Sequence, residues 1–354
     1  MTLKVSPNLW HCWAGDFAQG NGRLRVLGNR MTRRMALSGM AALSLVPAAR
    51  AQDPTKASIA LLKLSSSGPI FIAQEKGWFK EAGLDVEVSD GKGSGITMQQ
   101  VAAGDVDIGW VQLGVMAIAR GKGMPITSIA GLVRRGDLGA LVPKGAGLTK
   151  VKDLEGKKVA YTAGTSWGPL VDPFLEAGGT SRDKVNLVSV DQTALLSIYA
   201  SGGVDATLTT FPFAKPTADR QRPSDGILLA DVGINIPSYG LIVAQRTLAA
   251  KDDALQRFVP VVIKAWEYIY PDKIDEAVQA ILKQRPNEKL DAGILRDQIV
   301  EYRSFFVTDA TKGKRFGWQS EEDWKGTIAV LEKVKSIPAG SKPSDYYTNK
   351  FVPG

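Results

Sequence analysis

The chain has 354 residues, with 44 Lys or Arg against 36 Asp or Glu, a formal net charge of +8 and 44% hydrophobic residues, which suits a globular protein of about two compact units. The basic excess is local, because Lys4, Arg23, Arg25, Arg30, Arg33, Arg34 and Arg50 all fall in the first 51 residues, where Asp16 is the one acid. Beyond that stretch 37 basic residues face 35 acidic ones, a net of +2, so the sustained basic surface that nucleic-acid binding requires is excluded.

The start of the chain reads as an address. Arg33-Arg34 precedes an apolar run from Met35 to Ala49, and Ala49-Arg50-Ala51 offers small residues around a cut after Ala51. Thr32-Arg33-Arg34-Met35-Ala36-Leu37 resembles a twin-arginine export signal, with Ala36 where Phe is usual, and a general secretory route stays open. Residues 1–51 are therefore expected to be a removed leader, with 1–30 lying ahead of a second candidate start at Met31. The apolar run is shorter than the roughly 20 residues that span a bilayer. No Cys follows to take a lipid, so the mature chain is expected to be exported to the periplasm, soluble, without stable membrane insertion and monomeric.

His11 and Cys12 are the chain's one histidine and one cysteine, and both precede the expected cut. The mature chain thus lacks a thiolate nucleophile, an imidazole base, the usual zinc ligands and any disulfide. No metal, no cofactor and no catalytic residue are expected. Carboxylate pairs such as Asp105 with Asp107, or Glu321 and Glu322 with Asp323, have structural explanations: the first flanks a helix-to-strand turn, and the second fills the first turn of a helix after Ser320, where acids suit the dipole.

In chain order, the patterning predicts a strand over Ala57–Leu64, a helix over Ile70–Ala82, a strand over Val86–Ser89, a helix over Thr97–Ala103, a strand over Asp107–Val111 and a helix over Leu113–Arg120. Strands Ile126–Leu132, Ala140–Val142 and Val159–Tyr161 follow. The alternation then repeats itself. Phe79-Lys80-Glu81-Ala82-Gly83 before one strand matches Phe174-Leu175-Glu176-Ala177-Gly178 before another, and Ala103-Gly104-Asp105-Val106-Asp107 matches Ser201-Gly202-Gly203-Val204-Asp205. Two copies of helix, Gly, strand predict two parallel α/β lobes with a ligand cleft between them. Crossings near Leu138–Val142 and Pro237–Val243 make a two-strand hinge, placing 52–139 and 241–354 in lobe I and 140–240 in lobe II. From Asp252 the pattern turns helical, with Leu255, Phe258, Val259, Val262, Trp266, Ile269 and Tyr270 on one face as core and Pro260 as a possible kink.

Several of these runs carry a resemblance. Gly68 to Phe79, the Ala-Gly-Asp-Val-Asp-Ile-Gly run from Ala103, Asp153 to Val159, Arg257 to Tyr268 and Phe316 to Trp324 resemble the solute-binding proteins of nitrate, sulfonate and taurine ABC importers, a group that includes binders of thiamine-precursor pyrimidines. The resemblance implies a type II-like periplasmic binding fold that delivers a small ligand to an ABC transporter membrane permease. A relative of that group, the thiamine pyrimidine synthase, supplies the competing enzyme reading. That enzyme depends on an active-site histidine and a cysteine-rich metal motif, so its activity is not expected here. A module presenting its ligand to a sensor instead of a permease is the third class.

Loops at the carboxyl ends of the strands supply the candidate ligand site. Ser65, Ser66 and Ser67, Ser94, Trp110 and Gln112 come from the first lobe, with Tyr239 at the return crossing. Thr165, Ser166, Trp167, Asp191, Gln192 and Phe211 come from the second. Hydroxyls at helix N-termini suit a small organic anion, a sulfonate or carboxylate with aromatic ones included. Trp110, Trp167, Phe211 and Tyr239 would instead clamp a flat ring, which keeps a pyrimidine-type ligand as the alternative.

Overall fold

A computed structural model describes residues 55–61, 66–91 and 93–354. The expected leader, its cleavage site and Ser65 lie outside them.

The first half of the chain alternates β1 (Thr55–Leu61), α1 (Gly68–Glu75), α2 (Trp78–Glu81), β2 (Leu84–Asp90), α3 (Ser94–Ala103), β3 (Ile108–Gln112), α4 (Leu113–Gly121) and β4 (Ile126–Gly131). There follow β5 (Leu138–Pro143), β6 (Lys158–Tyr161), α5 (Val171–Ala177), β7 (Asn186–Ser189), α6 (Leu195–Ala200), β8 (Ala206–Thr210), α7 (Phe211–Ala218) and β9 (Ser224–Leu228). The last part holds β10 (Tyr239–Ala244), α8 (Gln245–Ala250), α9 (Asp252–Asp272), α10 (Ile274–Gln284), α11 (Ala292–Tyr302) and α12 (Glu321–Lys333).

The strands form two sheets of five, ordered β2-β1-β3-β10-β4 and β7-β6-β8-β5-β9. In both, the first three strands run parallel and the fourth runs antiparallel to its neighbours. The fourth strand of each sheet is the one next to a crossing between sheets: β5 follows the first crossing and β10 the second. Sheet membership therefore changes within residues 132–137 and again within 229–238. All of β5 belongs to the second sheet, so the first crossing ends just ahead of Leu138 rather than after residue 139.

The repeated motif has a physical basis at its second junction. Gly104 ends α3 at φ +86°, and Gly202 ends the matching turn at φ +81°, a backbone region that costs Gly nothing. Three residues on, Asp107 accepts from the backbone N–H of Ser58 on β1 at 2.9 Å, and Asp205 accepts from that of Lys158 on β6 at 2.8 Å. Each carboxylate thus ties the incoming strand to its parallel neighbour, which is why the pattern demands Asp there. Burial pushes Asp107 up, but hydrogen bonds from Lys251 and Ser58 outweigh it and hold the carboxyl below its usual range.

Two helix expectations change. The helix predicted over Ile70–Ala82 breaks into α1 and α2 at Gly77, which takes φ +72°. The long α9 runs unbroken through Pro260, and it buries Leu255, Phe258, Val259, Val262, Trp266 and Ile269 as the spacing predicts. Ser320 caps α12 by accepting from the N–H groups of Glu322 and Asp323. The C-terminal helices also reach beyond the first sheet: Gln298 on α11 donates to the Phe213 carbonyl on α7 at 2.7 Å, and Val330 on α12 packs on the second sheet's core. Residues 241–354 thus contact both lobes, where the sequence pattern had confined them to lobe I.

Candidate functional site

The cleft-facing loops are built by short polar turns that end the strands. Ser94, the first residue of α3, accepts the backbone N–H of Gln112 at 3.2 Å and so fixes the end of β3. The Gln112 side chain then reaches across to the second lobe, where Ser166 Oγ donates to its Oε1 at 2.7 Å. This hydrogen bond joins the two lobes over the cleft. Around it lies a narrow cavity of about 20 Å³ lined by Gln112, Asp137, Ser166, Leu170, Ile236 and Ser238. That is room for about one water, so an organic ligand enters only if the lobes part.

Among the described residues lining the cavity, Asp137 is the one ionisable side chain, and no Lys or Arg accompanies it. Asp137 stands in the first crossing segment, 1% exposed, and its carbonyl accepts from the N–H of Phe211 at 2.8 Å. Burial pushes the Tyr239 hydroxyl well above its ordinary range, and the Asp137 charge adds to that effect. Ser238 contributes a buried hydroxyl that has no partner among the described residues.

The two crossing segments are tied to each other. Gly136 N–H donates to Asn235 Oδ1 at 2.7 Å, and Arg135 pairs with Asp231 at 2.8 Å. Asn235 donates in turn to Asp323 Oδ1 at 3.3 Å, while Thr308 donates to Asp323 Oδ2 at 2.7 Å. Burial raises the Asp323 carboxyl despite these bonds. Arg134, 3% exposed, donates to the carbonyls of Phe306 and Arg315, and burial lowers its guanidinium to about 10. Asp323 therefore anchors the hinge, a structural task that matches its place in the first turn of α12.

The structure separates the sequence-predicted site residues into three groups. Gln112 and Ser166 meet at the cleft, and Tyr239 lies opposite Gln112 in the β10–β3 register. Ser66, Ser67 and Trp110 are buried behind it, where Trp110 Nε1 donates to Ser66 Oγ at 3.2 Å. The aromatic clamp takes a different form from the expected one. Trp110 is 0% exposed and stacks on Tyr239 and Trp266. Trp167 is 2% exposed, with Nε1 donating to the Thr209 carbonyl at 3.1 Å and its ring edge-on to Phe174. Phe211 is likewise buried, tilted against Phe305 at 6.3 Å. These rings pack the lobes instead of standing open in the cleft.

The remaining residues cap turns. Thr165 Oγ1 donates to the Thr162 carbonyl at 2.8 Å and accepts the Trp167 N–H at 3.3 Å. Asp191 accepts from the Thr193 N–H and hydroxyl at 2.8 and 2.6 Å, a turn that leaves it and Gln192 exposed and holds its carboxyl below the usual range. Sequence reasoning missed Asp137 and Ser238. The signal was their position, since each sits in a crossing segment next to the strand that ends at the cleft.

Residues 65–274 match the sequence profile of the NMT1/THI5-like family. A 4-amino-5-hydroxymethyl-2-methylpyrimidine phosphate synthase of Saccharomyces cerevisiae is 37% identical over 301 residues, which is 80% of this chain and 83% of that protein. Among solved structures, the chain is similar to the periplasmic aliphatic sulphonate-binding protein of Escherichia coli, with a TM-score of 0.63 and 14% identity over 82% of this chain and 96% of the other. It is similar also to the periplasmic nitrate-binding protein of Synechocystis, with a TM-score of 0.60 and 16% identity over 84% and 87%. At such identities the likeness speaks for the fold alone, the two-lobed periplasmic binding fold.

Proposed function

Because the chain belongs to the NMT1/THI5-like family, we propose that it is the solute-binding component of a periplasmic ABC importer, which closes two lobes on a small organic molecule and hands it unchanged to a membrane permease. The observation that carries this reading is the Gln112–Ser166 bond across a cleft between two lobes joined by two paired crossing segments. Such an arrangement suits closure on a ligand as near-rigid bodies. No helix among the described residues is long and apolar enough to cross a membrane.

The cleft favours an uncharged, pyrimidine-type ring over an anion. Thr165 and Ser166 were the expected anion donors, but each has already given its one proton, to the Thr162 carbonyl and to Gln112. An anion would also meet the Asp137 carboxylate in the cavity lining. Transport is favoured over pyrimidine synthesis because residues 13–354 contain no His and no Cys.

A thermal-shift screen of the purified protein against pyrimidines, aromatic carboxylates, alkanesulfonates and nitrate tests the ligand class, since binding to the folded state raises the melting temperature. A pyrimidine is expected to stabilise the protein and to be recovered chemically intact. Stabilisation by nitrate or a sulfonate alone would refute the ligand assignment, and turnover of the bound molecule would restore the enzyme reading.

A further inference from the structure

Helix α11 packs on the first lobe and reaches the second. Its Ile299, fully buried, lies beside Gly68 at the start of α1 and Ile281 on α10. The neighbouring Gln298 is 3% exposed and donates from its side chain to the Phe213 carbonyl on α7, which belongs to the second lobe. Beyond the other end of α7, the Arg220 guanidinium pairs with Asp297 at 3.0 Å and lies over Gly293 in the first turn of α11. Two polar contacts thus join the lobes at α7 and α11, separate from the Gln112–Ser166 bond.

This contact is open and charged where Arg220 sits. Between the helices runs a groove of about 270 Å³, room for several waters, lined by Lys215, Asp219 and Arg220 on one side and by Asp297, Val300 and Glu301 on the other. The α7 side therefore carries two cations and one acid, and the α11 side two acids. Lys215 and Asp219 pair along α7 at 2.6 Å, which leaves Arg220 to face the acids. Glu301 makes no ion pair among the described residues. Burial raises its carboxyl, the facing Lys215 ammonium opposes that rise, and Asp219 adds to it. A polar inter-lobe surface of this kind can part and re-form, whereas a dry apolar one would weld the helices. Displacement in a rigid rotation also grows with distance from the pivot. Phe211 at the start of α7 is held by the Asp137 carbonyl in the first crossing, and Arg220 lies past the far end of the helix, about 12 Å along it. Opening about the crossings therefore pulls on the Arg220–Asp297 pair.

We propose that the α7–α11 groove is an electrostatic latch on lobe closure, in which Arg220 of the second lobe engages Asp297, with Glu301 adding to the negative face, and holds the closed form. The inference rests on the two-lobe closure proposed above. Salt separates this latch from the Gln112–Ser166 contact, because ions screen a charge pair and leave a neutral hydrogen bond intact. The test places dyes through Glu87→Cys on β2 and Asn186→Cys on β7, exposed positions in opposite lobes, and follows the open-to-closed ratio by single-molecule energy transfer without ligand. Between about 20 mM and about 500 mM NaCl the ratio should rise roughly two- to fivefold, the range of an exposed ion pair. Arg220→Glu turns the pair repulsive, so it should raise the ratio at low salt at least about fivefold and reverse the direction of the salt effect. Arg220→Glu combined with Asp297→Arg should bring the ratio back to within about twofold of the unaltered protein and restore the original salt direction. Ser166→Ala should shift the ratio yet keep the salt dependence. Arg220 and Asp297 are both half-exposed, so melting temperatures should stay level throughout. A ratio indifferent to salt in the unaltered protein, or a rise in Arg220→Glu that Asp297→Arg leaves uncorrected, would overturn the latch while lobe closure stands. One unchanging inter-lobe distance in every variant and at every salt concentration would overturn both.

Discussion

Removing the Ser166 hydroxyl should unlatch the lobes. In Ser166→Ala the 2.7 Å bond to Gln112 Oε1 is lost, while Gln112 keeps its backbone anchor on Ser94 at 3.2 Å, so the lobe I side of the contact stays in place. A neutral, partly buried hydrogen bond is worth about 0.5–1.5 kcal/mol net. The open-to-closed ratio should therefore rise by a factor of about 2–12. The upper end is limited because the freed Gln112 oxygen meets water when the cleft opens, so no buried acceptor is stranded. Single-molecule energy transfer can read this directly. Glu87 on β2 and Asn186 on β7 are exposed and lie on edge strands of opposite lobes, and residues 55–354 contain no native Cys to compete for the dyes. Thr165→Ala is the control, since Thr165 bonds within its own loop. An inter-lobe distance distribution that is identical in the unaltered protein, Ser166→Ala and Gln112→Ala would show that this contact does not hold the lobes together.

Further outcomes follow from the same geometry. Thr165→Ala should lower folding stability by about 1 kcal/mol, as a lost turn-capping bond does, without moving the lobes, which denaturant titration would show. Asp107→Ala should cost about 2–3 kcal/mol, because it removes bonds to the Ser58 N–H and hydroxyl and an ion pair with Lys251 at 2.8 Å. The equivalent Asp205→Ala should cost about 1 kcal/mol, since its carboxylate is exposed and accepts one N–H from Lys158. The Asp107 carboxyl is held below its ordinary 3.8, so its contribution is present above that pH and is lost as pH falls through the depressed value. The stability gap between the unaltered protein and Asp107→Asn should accordingly narrow in urea melts at pH 3 relative to pH 7; a gap that widened would reverse the sign of the linkage. Gly202→Ala should cost about 1–2 kcal/mol through its φ of +81° alone, as nothing lies near the added methyl. Gly104→Ala should cost more, because its methyl would also displace the Arg246 guanidinium.

Much of the architecture was legible in residue order because it depends on local periodicity and punctuation. The repeated Gly and Asp junctions announced two like lobes, and they do so physically: Gly104 and Gly202 turn the chain with positive φ, and Asp107 and Asp205 grip the adjacent strand. The buried face of α9 and the Ser320 cap were equally local. Other features are set by partners distant in sequence. Ser166 gives its proton to a residue 54 positions away, so its availability to a ligand cannot be read from a polar loop before a helix. Trp110 and Trp167 look like site aromatics beside such loops, but the direction of each ring depends on neighbours such as Trp266 and Phe174 from other elements. Asp137 gains its meaning only where the first crossing segment meets Ser238 beside the cavity and Tyr239 on β10. Sequence by itself thus determined the alternation of helices and strands and the repeated Gly and Asp junctions, because hydrophobic period and turn chemistry act over a few residues. The tertiary structure alone decided which donors are spent, which rings face inward and what charge lines the cleft, because those depend on distances between groups far apart in the chain.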